Sequence, residues 1–132
     1  MPTPFTARYA GISATVFLAA LALSGCVPKS TTVAGTGAAT LGVDSSASAC
    51  TVSAATARSG SLTFAVKNSG NQATEFYLLA ADGKRVVGEV EDIGPGLTRN
   101  LVVDVSPGQY FTVCKPGLTG DGIGRTAFTV TE

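Results

Sequence analysis

The chain contains no histidine and no tryptophan, and its single methionine is the initiator. Without imidazole no side chain titrates near neutrality unperturbed. A Ser/His or Cys/His nucleophile–base pair is therefore excluded, as is any metal centre that requires a histidine ligand. A methionine-rich metal carrier is excluded by the same inventory. Charge is also sparse: charged residues make up 14% of the 132 positions, and nine cations balance nine acids. They are scattered without a basic run, so nothing offers the electrostatic footprint of a nucleic-acid binder. The inventory points away from an enzyme and toward one small domain.

What is present begins with an export signal. Arg8 gives a weakly positive start, and Ile12 to Leu23 is mostly apolar. That stretch is shorter than the about 20 apolar residues that span a bilayer and reads as the core of a secretory signal. It ends in Leu23-Ser24-Gly25-Cys26, which resembles the lipobox of bacterial lipoproteins. The resemblance implies cleavage after residue 25, lipidation of Cys26 and attachment to a membrane by its acyl chains, each buried CH₂ being worth ~0.8 kcal/mol. Removing residues 1–25 takes away Arg8 alone and moves the formal net charge from zero to −1. Residues 26–40, rich in Ser, Thr, Gly and Ala, read as a flexible tether. The folded domain is expected over 41–132, outside the cytoplasm.

From Leu41 onward the pattern predicts strands only. Ser61–Lys67 alternates, with Leu62, Phe64 and Val66 on one face. Further strands are expected over Glu75–Leu79, Arg85–Glu91, Thr98–Val105, Tyr110–Cys114 and Thr126–Thr131, with shorter ones near Leu41–Val43 and Thr51–Ser53. Asn68-Ser69-Gly70-Asn71, Asp82-Gly83, Gly94-Pro95-Gly96 and Ser106-Pro107-Gly108 supply the turns. About eight short strands at this spacing indicate an all-β sandwich or barrel.

With Cys26 assigned to lipid, Cys50 and Cys114 remain, an even pair in an oxidising compartment. A disulfide or a metal ion joining them would clip an early strand to a late one. Glu89 and Glu91 are two apart on a strand and so share a face. The glycine cluster Gly120-Asp121-Gly122-Ile123-Gly124 is not a phosphate loop, because no helix follows it.

Several stretches between Cys50 and Val130 carry a family resemblance: Asn68-x-Gly70, Thr74-Glu75-Phe76-Tyr77, Val86 to Glu91, Ile93-Gly94-Pro95-Gly96-Leu97-Thr98-Arg99, Pro107-Gly108-x-Tyr110, and Cys114-Lys115-Pro116-Gly117 with Gly120-Asp121-Gly122. Together they resemble the cupredoxin-like domain of EfeO-type bacterial iron-uptake proteins. The resemblance implies a cupredoxin-like Greek-key β-sandwich. Full-length members carry a further, helical imelysin-type domain, so the chain is expected to be a stand-alone cupredoxin-like domain or a truncated product. In cupredoxins Cys114 would be the copper thiolate. Glu75 would stand at one histidine position, Gly117 at the other, and Leu118 or Ile123 near the axial methionine. A blue-copper His₂Cys site is thus impossible here. The resemblance implies instead a site of carboxylates and thiolates, with Glu75 and Cys114 as ligands and Cys50, Glu89, Glu91 and Asp121 assisting.

That mixture of hard and soft donors suits Fe(III) or Cu(II) without choosing between them. The implied partners are the membrane, an iron permease and a haem peroxidase of the same uptake system. Two readings therefore stand together. One is a lipid-anchored cupredoxin-like domain that binds a metal ion. The other is a disulfide-stapled sandwich that docks to an envelope partner with no metal.

Overall fold

The computed structural model describes residues 38–132. The expected signal peptide, the lipidation site Cys26 and the tether as far as residue 37 lie outside the described residues. Nine strands follow: β1 (Ala39–Ser45), β2 (Cys50–Val52), β3 (Thr56–Arg58), β4 (Gly60–Asn68), β5 (Thr74–Ala80), β6 (Val86–Ile93), β7 (Thr98–Val105), β8 (Gly108–Cys114) and β9 (Ile123–Thr131), with one 3₁₀ turn at Pro116–Leu118. β1 already includes Ala39 and Thr40, which composition assigned to the tether. β3 is an addition to the expected set, and β9 begins three residues before the predicted Thr126.

The strands form two sheets, ordered β2-β1-β4-β7 and β3-β9-β8-β5-β6. β1 lies parallel to β4 and β3 parallel to β9, and the remaining pairs are antiparallel. Leu62, Phe64 and Val66 are buried as their alternation predicts, and so are Phe76 and Leu78 on β5. Phe64 lies at the centre of the core, its ring 5.2 Å from that of Phe76 and 5.6 Å from that of Phe128. These tilted and edge-on contacts are the arrangements aromatic quadrupoles prefer.

The turns carry the chemistry their residues promise. The Asp82 carboxylate accepts the N–H groups of Lys84 at 2.8 Å and Arg85 at 2.9 Å, while Gly83 takes a φ of +66°. Those backbone hydrogen bonds hold the Asp82 carboxyl below its usual range. Asn68 has a larger role. Its buried amide donates to the carbonyls of Gln72 and Ile93, both at 2.7 Å, and its carbonyl accepts from Gly70 N–H at 2.9 Å. One side chain thereby ties β4, the following turn and the end of β6.

The register defines two poles. Ala39 is level with Leu62, Gly60 with Val105 and Gly108 with Val130, so the first and last strands have their outer ends at one pole. Ser45 with Asn68, Thr74 with Ile93, and Cys114 with Ile123 mark the other pole. There the two sheets are joined by a hydrogen bond between the hydroxyls of Ser45 and Thr74, 2.7 Å, and by the bond between Cys50 and Cys114.

Candidate functional site

β8 ends at the second pole with Thr112 and Cys114 turned into the sandwich and Val113 turned out. Cys114 is fully buried in the core cluster and pairs in register with Phe76. Its sulfur is bonded to that of Cys50 on β2, across 5.5 Å between Cα atoms, so the link joins the two sheets. The glycine cluster closes around it. A Cβ on Gly124, whose φ is +63°, would stand 2.7 Å from Cys50 Cβ, and one on Gly122, φ +82°, would stand 2.6 Å from the Cys114 carbonyl oxygen. Contacts that short are not tolerated, so these two positions require glycine for space as well as for backbone conformation. The sequence signal was the glycine run itself, whose role as a cover for the cystine depends on the fold.

Glu75 lies on the opposite side of the same sheet. Its backbone pairs with Lys115, through Lys115 N–H to Glu75 C=O at 2.8 Å and the reverse bond at 3.3 Å. Because neighbouring residues on a strand face opposite ways, the core position of Phe76 puts Glu75 outside. There its carboxylate accepts the Tyr77 hydroxyl at 2.5 Å and lies 3.8 Å from Lys115 Nζ. Lys115 Nζ in turn sits 5.2 Å from the centre of the Tyr77 ring. Glu89 is directly across from Tyr77 on β6. Burial of the phenol, its hydrogen bond to Glu75, and the negative charges of Glu75, Glu89 and Glu91 all push the Tyr77 pKa well above the usual value.

The six residues expected to share one metal site therefore separate into three places. Cys50 and Cys114 meet as a disulfide inside the sandwich. Glu75, Glu89 and Glu91 surround Tyr77 on the outer face. Asp121 is exposed in the loop before β9. Strand alternation turns the Glu75 carboxylate and the Cys114 sulfur, which were expected to ligate together, to opposite faces of the sheet. Among the described residues no group of three or more His, Cys, Asp or Glu side chains could hold a metal ion.

No protein-family model matches the chain, and no curated protein matches it either. Solved structures do. The reduced auracyanin of Roseiflexus castenholzii is similar with a TM-score of 0.56 at 18% identity, covering 73% of this chain and all of that one. The azurin Az-iso2 of Methylomonas sp. strain J follows at 0.55 and 14%, with 73% and 100% covered. Auracyanin A of Chloroflexus aurantiacus, a "blue" copper protein, gives 0.55 and 16%, with 72% and 100% covered.

The fold is the cupredoxin fold.

At these identities the likeness carries the fold alone. The donor set at the second pole does not fit a copper ion. It offers two sulfurs already bonded to each other, no imidazole, and carboxylates on the far side of the sheet. Gly117, expected from the resemblance at a histidine position, has a φ of +74°, and a Cβ there would lie 2.8 Å from Gln72 Oε1. The Gln72 side chain is exposed and can swing aside, so it is the left-handed backbone at Gly117 that favours glycine there.

Proposed function

We propose that this chain is a lipid-anchored, extracytoplasmic cupredoxin-fold module in which a disulfide stands where copper proteins of this fold hold their metal, and that it acts by docking to an envelope partner. The single observation that carries the reading is the Cys50–Cys114 bond at the end of β8 in a chain without histidine. The Leu23-Ser24-Gly25-Cys26 sequence supports the lipid anchor, and the motifs shared with EfeO-type domains support an iron-uptake setting. In that setting a permease and a haem peroxidase are the natural partners. The outer-face glutamates, Glu75, Glu89 and Glu91, supply acidic contacts for such a partner, and the metal would pass through other chains.

Native mass spectrometry of the exported chain carrying Cys26→Ser, which keeps it free of lipid, tests the reading. The expected mass is two hydrogens below that of the dithiol, with no adduct retained after Cu(II) or Fe(III) is added. Intact thiols with a stoichiometric metal adduct that is lost in Glu75→Ala would overturn it.

A further inference from the structure

The outer face of the five-stranded sheet holds a groove next to the acidic patch that the docking reading uses, with Tyr77 and Lys115 at the boundary between them. Leu79 and Val113 form its floor. Both project away from the core, yet they are only 6% and 4% exposed. The β5–β6 turn lines one side with Gly83 and Lys84, and the loop before β9 lines the other with Gly120 and Asp121. Tyr77 and Val86 complete the apolar wall around a volume of about 350 Å³. Val86 leaves 45% of its surface to solvent at the rim.

The rim carries more cations than acids in a domain where acids prevail. Residues 38–132 contain seven cations and nine acids, yet Lys84, Lys115 and Arg125 all line this groove with the carboxylate of Asp121, while the Glu75 carboxylate, bonded to the Tyr77 hydroxyl, adjoins it and offsets Lys115. Among the described residues the only ion pair is Lys115 with Glu75, so Lys84 and Arg125 keep their charge uncommitted. Arg125 reaches across the sheet to the β5–β6 turn, its guanidinium lying against Gly83. A Cβ there would stand 3.1 Å from Arg125 Nη1, and the turn's φ of +66° favours glycine as well.

An apolar floor with a few converging charges is the usual make-up of a small-molecule site, and the volume falls at the lower end of the ~300–1,000 Å³ such sites occupy. We propose that this groove binds a small organic anion, a monocarboxylate with an apolar body of roughly ten non-hydrogen atoms. The carboxylate lies between Arg125 and Lys84, where the guanidinium presents paired donors. The apolar body covers Leu79, Val113 and Val86. The proposal is independent of the docking reading and of whether Cys26 carries lipid.

Amide NMR titration of the full exported chain carrying Cys26→Ser tests it with three probes. Phenylacetate carries both charge and apolar body, phenylacetamide keeps the body without the charge, and acetate keeps the charge without the body. Phenylacetate is expected to shift the amides of Leu79, Gly83, Val113 and Arg125 with saturation and a Kd on the order of 1 mM. Each of the other two should bind at least about fivefold more weakly, since each gives up roughly 1 kcal/mol of interaction. Arg125→Gln and Lys84→Gln, both exposed positions, should each weaken phenylacetate about fivefold on the same basis. Equal binding of phenylacetamide would overturn the proposal. So would shifts that map elsewhere, or no saturation by about 20 mM. Shifts at these amides from an acidic peptide but not from phenylacetate would also overturn it, assigning the groove to a protein partner.

Discussion

Removing the Cys50–Cys114 bond, by Cys50→Ala with Cys114→Ala, is expected to cost a large part of the domain's stability. The bond closes a loop across a sequence separation of 64 residues. In the chain-entropy treatment a loop of that length lowers the unfolded chain's entropy by ~14 cal/mol/K, which is ~4 kcal/mol at room temperature. A domain of this size has a total stability of roughly 5–14 kcal/mol, so the loss is at least about a quarter of it. It corresponds to a fall in Tm of roughly 15–30 °C.

Urea unfolding followed by circular dichroism measures the change. Two features should appear together: a lower midpoint, and a steeper dependence on urea because the uncrosslinked chain exposes more surface when it unfolds. The wild-type protein kept in thiol reductant provides a second route to the same state, with both sulfur atoms retained and no cavity made at Cys114. A loss below about 1 kcal/mol by either route, with unchanged slope, would refute the entropic account.

Three further outcomes follow from named contacts. The Tyr77 pKa is raised in the folded state, so the stability it contributes is complete below the ordinary phenol value near 10 and is lost as pH climbs past it. Urea midpoints should therefore fall above about pH 10, less steeply in Glu75→Gln and Tyr77→Phe, and phenolate absorbance from Tyr77 should appear at a higher pH than that of an ordinary phenol. Asn68→Ala should cost ~2–3 kcal/mol in urea unfolding, because it strands the Ile93 and Gln72 carbonyls and the Gly70 N–H that the amide now satisfies. Gly124→Ala should cost at least ~2 kcal/mol by the same assay, since a left-handed backbone and a Cβ pressed on Cys50 must both be accommodated.

The sequence carried most of the strand pattern because β4, β5 and β7 to β9 each pair local alternation with turn residues that allow only a few conformations. β3 was not legible: Thr56-Ala57-Arg58 has no apolar alternation, and it becomes a strand only through its parallel pairing with β9, more than 70 residues away. The choice between cystine and metal was left open for the same kind of reason. The pairing of β8 with β5, which puts Cys114 opposite Phe76, is a register fixed by the assembled sheet. The outward position of Glu75 was legible, because Phe76 and Leu78 alternate as core residues and so place Glu75 outside. The groove was hidden altogether, since Lys84, Lys115 and Arg125 come from three separate strand ends and meet only after folding.

The parallel pairing of β1 with β4 also has a mechanical meaning. Seven residues of β1, from Ala39 to Ser45, lie in register along β4, and the chain enters β1 at the pole away from the cystine. A pull on the segment ahead of Ala39 acts along the strand, across the direction of its hydrogen bonds. The whole row must then slip together, where a pull from the side would open it one bond at a time. The cystine holds β2, the antiparallel neighbour of β1, at the far end of that row. Such a domain would resist extraction by a force applied through its N-terminal side, and its rate of forced unfolding should rise sharply once the cystine is reduced.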